Sequence, residues 1–350
     1  MKKKKIIFFI NTYTSYQDDF FKVLKKYFEV RVVFFSEIYK NYNFNIYKSI
    51  NKNYYFLNNF DNQHSKLFDI IYKFNSDFYV FGGYRLPFTS KIISYIGLKK
   101  KKYYFWLERL NKNNFLKFYI VRYLISKKIK KANGILSVGK EASKFYKSFN
   151  KKILNLPYSV SINSSYKKEY FYNNKINFLF VGQLIKRKGI DIILKTFASL
   201  GYFEKKLITL TIIGNGKYKK KINQFKIQNN FVNHLDFLNK KKLSLIYKKT
   251  DVFLFPSRFD GWGVAPLEAM SYSSATIISK YTGMKEIINY NKKKITSNLS
   301  VKDLLAKINN LIKKKIEIKK NGKRNYKILK NSVCNNKISA KRLHNFLKKN

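Results

Sequence analysis

Between Asp251 and Glu268 the chain reads DVFLFPSRFDGWGVAPLE and runs on into AMSYSSATIIS, and no other stretch restricts the possible folds as much. Val252 to Phe255 is an uninterrupted apolar run of the length of a strand buried on both faces, and Pro256 and Ser257 stop it. A polar loop with Asp260 at its bend follows. Gly261 and Gly263 admit backbone angles that other residues resist, and Pro266 suits the first turn of a helix carrying Glu268. A buried strand, a loop and a helix in that order form the repeating unit of a parallel α/β sheet, in which ligands gather at the carboxyl ends of the strands. Amides at a helix start attract phosphate, whereas a carboxylate repels it and grips sugar hydroxyls. A ligand with both parts, such as a nucleotide-activated sugar, suits such a loop.

A chain of 350 residues is long for one open-sheet domain and comfortable for two. Lysine and arginine outnumber acids 73 to 19, a formal net charge of +54, which favours polyanions such as nucleic acid or an anionic membrane surface. The 28 tyrosines and 32 phenylalanines could stack on bases, making a basic nucleic-acid binder the competing class. The aromatics, however, fall mainly within apolar runs where they serve a core, and no RNA-binding signature is present. Abundant Lys, Asn, Ile, Phe and Tyr throughout are what an AT-rich coding bias produces. No specific nucleic acid is therefore expected as a partner, and binding to acidic headgroups is a secondary consequence of the charge. Cys334 stands alone, which excludes an internal disulfide and a cysteine-based zinc site and fits a reducing cytoplasm. The start MKKKKIIFFI has too short an apolar part for a signal peptide or a span and reads as the first buried strand. Any membrane contact is expected to be peripheral.

Strands are expected at Ile6–Ile10, Val30–Phe35, Phe78–Phe81, Tyr103–Leu107 and Ile135–Val138, with a helix over Asp18–Phe28 that places Phe20, Phe21, Leu24, Tyr27 and Phe28 on one face. Residues 37–65 lack periodicity and read as an irregular excursion or an acceptor loop. Three loops follow first-half strands. Asn11–Gln17 offers Tyr13, Tyr16 and Gln17, Gly82 and Gly83 follow the third strand, and Glu108 with Arg109 follows the fourth, where a surface salt bridge is the alternative to a site. Polar residues place a linker near Ser159–Tyr170. The second half is expected to hold strands at Asn177–Val181, Ile208–Ile213, His234–Leu238, Val252–Phe255 and Thr276–Ser279, with helices from Gly189, Tyr218, Leu243 and Pro266 and an amphipathic segment at Leu304–Ile318.

In DGWGVAPLEAM seven residues separate Asp260 from Glu268, and the segment resembles the E-x7-E element of the retaining glycosyltransferases of family 4, with Asp for the first Glu. FLFVGQLIKRKGIDIILKTF from Phe178 resembles that family's phosphate-binding segment, LTIIGNGKYKKKI from Leu210 its intervening strand, turn and helix, and KANGILSVGKEASKFYKSF from Lys131 the end of its amino-terminal domain. The likeness is close over residues 171–290 and loose before them. It implies an α/β fold of the GT-B type, two Rossmann-like domains with parallel sheets facing across a cleft. Residues 1–160 would form the acceptor domain, 171–325 the nucleotide-sugar domain, and 326–350 a helical tail that can cross back to the first.

The resemblance implies a donor site of Gly182, Gln183, Arg187, Lys188, Gly214, Gly216, Asp260, Gly263, Val264 and Glu268, with acceptor contacts from Tyr13, Tyr16, Gln17 and Gly83. Lys188 would contact the donor phosphates, Glu268 the ribose hydroxyls, and Asp260 with the Gly263 and Val264 amides the transferred sugar. The family often has Arg where Gln183 stands, and the uncharged amide shifts phosphate neutralisation toward Lys188. A solvated basic face is the alternative for Arg187 and Lys188, and a plain turn for Gly214 and Gly216. Phosphates met by lysine and amides need no obligatory metal, and no cofactor is expected beyond the nucleotide-sugar co-substrate. The three histidines, His64, His234 and His344, follow no first-domain strand. The place of the family's first-domain histidine is thus vacant or taken by Glu108, so Glu108, Lys188 and Asp260 are the catalytic candidates. The expected activity is retaining transfer of a sugar to a glycan or lipid-linked acceptor in cell-surface polysaccharide or glycolipid synthesis. A GT-B epimerase would need more acid and base groups than Glu108 supplies.

Overall fold

The structure, a computed structural model, describes residues 2–36, 52–57, 63–84, 86–110, 115–162, 168–288, 295–296 and 299–350. Most of the 37–65 segment lies outside these described residues, as does part of the linker expected at Ser159–Tyr170. The chain divides into two compact units, Met1–Ser159 with Asn336–Asn350, and Val160–Asn335.

In the first unit the strands are β1 (Lys5–Thr12), β2 (Glu29–Ser36), β3 (Tyr54–Phe56), β4 (Phe78–Phe81), β5 (Lys102–Glu108), β6 (Gly134–Val138) and β7 (Ile153–Asn155). They form one parallel sheet in the order β3-β2-β1-β4-β5-β6-β7. Apolar residues run continuously through the inner strands because both faces are covered; Ile6 to Phe9 and Phe78 to Phe81 are all buried. One face packs Ile7, Phe9, Phe81, Phe105 and Ile135 into a single cluster. The helix Ser15–Leu24 begins before the expected Asp18 and ends before Tyr27 and Phe28. Those two rings turn instead onto His344, with centroids 4.8 and 5.4 Å away. His344 belongs to the helix Asn336–Lys349, which packs against Ser15–Leu24.

The second unit contains β8 (Ile176–Val181), β9 (Ile208–Ile213), β10 (Val232–Leu235), β11 (Val252–Phe255), β12 (Ala275–Ser279) and β13 (Ile295–Thr296). Their order in a second parallel sheet is β10-β9-β8-β11-β12-β13. β10 starts two residues before the expected His234 because Val232 faces the core, while Asp236 and Phe237 leave the sheet and are exposed. The amphipathic segment expected at Leu304–Ile318 is the helix Val301–Lys313, capped by Ser300 whose side chain accepts from Asp303 N at 3.1 Å, and the start of a second helix, Lys315–Lys330. The expected tail is shared between the units: residues up to Asn335 complete the second, where Val160 N donates to Cys334 O at 2.8 Å, and the rest join the first. Among the described residues no helix is long and apolar enough to cross a membrane.

Candidate active site

In each sheet the strand order reverses once, between β1 and β4 and between β8 and β11. The loops leaving two such neighbouring strands part company and open a crevice at their carboxyl ends. Every expected acceptor residue follows β1 or β4. Eight of the ten donor residues follow β8 or β11, and Gly214 and Gly216 follow β9.

In the second unit, Lys186–Lys188 forms one tight helical turn after β8 and ends at Gly189, where φ is +77°. A side chain at Gly189 would place its Cβ 2.0 Å from Pro256 O, so only glycine lets this turn lie against the end of β11. Two further bonds fasten the loops together. Arg258 N donates to Arg187 O at 2.8 Å, and the Arg187 guanidinium donates to Phe259 O at 2.9 Å. The result brings Lys188 Nζ into an ion pair with Asp260 Oδ2, with Arg187 3.9 Å from the same oxygen. Lys188 and Asp260 are largely enclosed, with side chains 17% and 13% exposed, and the Lys188 ammonium also stands 5.4 Å from the centre of the Phe255 ring.

The Asp260 loop is fixed from the other side as well. Trp262 is buried, Met284 N donates to Trp262 O at 2.9 Å, and Gly283 N donates to Asp260 O at 3.2 Å. Gly263 then leads into the helix Val264–Ser271, which carries Glu268. The Tyr247 hydroxyl donates to Glu268 Oε2 at 3.0 Å. Tyr247 is buried, and burial first, then the negative Glu268, pushes its pKa well above the ordinary tyrosine value, so the hydroxyl keeps its proton and acts as a donor.

Gly182 and Gly214 approach closely after β8 and β9: a Cβ at Gly214 would lie 2.0 Å from Gly182 O. Gly216 stands beside Leu184 O in the same way, and Gln183 is exposed between them. Sequence reasoning missed Tyr247 and a second clamp, in which the Arg258 guanidinium meets both oxygens of Asp191 at 2.7 and 2.8 Å. Asp191 had a local signal, an acid in the first turn of a helix, where the helix dipole favours one. Tyr247 and Arg258 had none, because their partners are remote in sequence.

In the first unit Tyr13 packs its ring against Phe34 and Tyr54 at 5.6 and 6.5 Å, and Tyr16 packs on Tyr158 at 5.3 Å. Gln17 is buried and accepts from Thr14 Oγ1 at 2.8 Å. These three therefore hold the loop after β1 in shape, while Gly83 stays partly open after β4. Glu108 is exposed at the end of β5. Its backbone oxygen accepts from the Tyr146 hydroxyl at 3.0 Å, and the neighbouring Arg109 pairs with Glu141 at 2.5 Å.

Residues 162–328 match the family model described as Glycosyl transferases group 1. The matched stretch lies wholly within the second unit. An uncharacterized glycosyltransferase of Methanocaldococcus jannaschii is 31% identical over 135 residues, 37% of this chain and 36% of that protein. Glycogen synthase 2 of Geobacter sulfurreducens is 31% identical over 110 residues, 31% of this chain and 22% of that protein. The matched part thus spans about a third or less of these curated relatives. Anabaena HepE, solved in complex with UDP, superposes with a TM-score of 0.76 over 99% of this chain and 100% of its own, at 14% identity. At that identity the likeness concerns the fold, and the fold is α/β with two parallel sheets, of the GT-B class.

Proposed function

We propose that the protein moves a sugar from a nucleotide-sugar donor to a glycan or lipid-linked acceptor. The observation that carries this reading is the meeting of Lys188 and Arg187 from the loop after β8 with Asp260 from the loop after β11, inside the group 1 segment. Glu268 follows on the next helix. Anabaena HepE has been solved with UDP-glucose as well as with UDP, which supports a nucleotide-sugar donor for this chain.

In this reading the acceptor hydroxyl attacks the anomeric carbon, the bond from that carbon to the diphosphate oxygen breaks, and the nucleoside diphosphate leaves with the bonding electrons. Lys188, aided by Arg187, stabilises the charge that develops on the leaving oxygens, and fixed cations do this without moving a proton. Glu268, held by Tyr247, accepts hydrogen bonds from the ribose hydroxyls. Asp260 and the amides of Gly263 and Val264 hold the transferred sugar, and Gly182, Gln183, Gly214 and Gly216 let the nucleotide approach the backbone. With the phosphates met by Lys188, Arg187 and backbone amides, no obligatory metal is required in this reading.

The resemblance to family 4 supports retention of anomeric configuration, with the leaving phosphate taking the acceptor proton and Glu108 as the alternative base. It also supports a place in cell-surface polysaccharide or glycolipid synthesis. Binding of a panel of nucleotide sugars to Glu268→Ala and Lys188→Ala tests the reading. Loss of affinity for one donor in both variants is expected; full affinity in both sinks it.

A further inference from the structure

The amino-terminal edge of the second sheet lies at the opposite end of the strands from the donor loops. Three backbone segments meet there: Ile176 N donates to Leu207 O at 2.9 Å, and Leu210 N to Phe231 O at 2.8 Å. The segments that feed into β8, β9 and β10 at this edge each expose large apolar side chains. Tyr202 is 68%, Phe203 76%, Leu207 40%, Tyr172 39% and Ile227 81% exposed. One such side chain is ordinary on a surface, but five on the segments that enter three neighbouring strands call for a contact.

Lysines are interleaved with them. Lys206 Nζ stands 4.2 Å from the centre of the Tyr202 ring and Lys249 Nζ 4.0 Å from that of Tyr172. Lys315 and Lys319 flank the Phe171 ring at 5.7 and 5.3 Å, and Ile316 between them is 59% exposed. The segments 168–175, 202–207, 226–231 and 248–251 hold seven lysines and three acids, and of these lysines Lys168 turns its ammonium inward, onto Lys248 O and Thr250 O. One acid, Asp251, is buried under two backbone amides, and another, Glu204, folds back against Gly201.

We propose that this edge docks on an anionic lipid surface. Aromatic rings and a few aliphatic side chains enter the boundary between headgroups and acyl chains, and lysines at the same depth meet the phosphates. A second copy of the chain is disfavoured as the occupant, because it would set the same lysines against each other. With strands of six residues at about 3.3 Å each, the donor loops stand roughly 20 Å from the lipid, on the aqueous side. The inference does not rest on glycosyl transfer.

The experiment is flotation with vesicles of phosphatidylcholine alone or with 30 mol% (about one lipid in three) phosphatidylglycerol, where lysine-rich surfaces bind in proportion to anionic lipid. Wild type is expected to float with the anionic vesicles. Tyr202→Ser, Phe203→Ser and Ile227→Ser combined should weaken partitioning by about tenfold or more, since buried apolar surface is lost at three positions. Leu98→Ser, at a site 83% exposed in the first unit, should leave it unchanged. These side chains are exposed, so the triple variant should keep its melting temperature and its nucleotide-sugar affinity, which separates this test from that of the proposed function. Equal flotation of wild type and triple variant overturns the proposal, since general basicity would then be the cause. Failure of wild type to float overturns it too, and capture of an acidic protein by this edge in that case would name the other occupant.

Discussion

Tyr247 and Glu268 are joined by a 3.0 Å hydrogen bond that spans β11: the tyrosine lies in the last turn of the helix Lys240–Lys249 before the strand, and the glutamate sits on the helix after it. The carboxylate is thereby aimed before any ligand arrives. Tyr247→Phe keeps the ring that stacks on Tyr272 at 5.9 Å and removes only the donor. Donor affinity should fall about fivefold, the worth of one hydrogen bond of about 1 kcal/mol, with little change in fold. Titration calorimetry with the preferred nucleotide sugar checks it, and unaltered affinity would mean that Glu268 is oriented by something else.

Lys188 and Arg187 should differ in their effect. Lys188→Met keeps the aliphatic stem and removes the charge, and turnover should drop by about a hundredfold or more, as for loss of a fixed donor to a developing anion. Arg187 is 43% exposed and farther from Asp260, so Arg187→Ala should cost less. Steady-state kinetics with saturating acceptor give the order, and an equal or reversed effect would place the phosphates elsewhere.

Gly189→Ala puts a Cβ into contact with Pro256 O and strains a left-handed backbone. A loss of about 2 kcal/mol or more is expected, with weaker donor binding because the Lys186–Lys188 turn must move. Gly97→Ala is the counter-case, a helical glycine with nothing within 4 Å of the added carbon. It should raise stability by up to about 1 kcal/mol. Denaturant melts of the two variants give both signs.

Lys168 Nζ donates to Lys248 O and Thr250 O at 2.6 Å each, and burial pulls its pKa down to about 8, opposed by the charge of Asp251. In the unfolded chain the same ammonium titrates near 10.4, so between about pH 8 and pH 10 the unfolded state binds more protons. Stability from this group must therefore rise with pH across that window. The difference in melting temperature between wild type and Lys168→Met should shift in favour of wild type from pH 7.5 to 9.5 (about the span over which a group of pKa about 8 titrates). A constant difference would show that Lys168 is not desolvated.

What could be read from the chain depended on local density of signal. β8, β9, β11 and β12 are four to six consecutive residues rich in Ile, Leu, Phe and Val, and a run of that kind has few alternatives to a doubly covered strand. β3, β7 and β13 are three, three and two residues long, too short to show any period. They exist because a neighbouring strand offers an unpaired edge. Lys188 and Asp260 were legible as separate members of glycine-bearing loops, but their pairing follows from the β8–β11 adjacency, a property of the sheet as a whole. Phe237 looked like a strand residue by composition, yet β10 ends at Leu235.

The helix Asn336–Lys349 completes the first unit, stacking His344 on Tyr27 and setting Phe346 6.1 Å from Tyr104, although all of Val160–Asn335 precedes it in the chain. On a ribosome, where units fold as their residues emerge, the second unit has all its parts before this helix is made. The first unit must wait with the Phe28 and Tyr104 side of its sheet uncovered through the synthesis of the whole intervening stretch. A nascent chain halted before Asn336 is therefore expected to expose that aromatic face to chaperones.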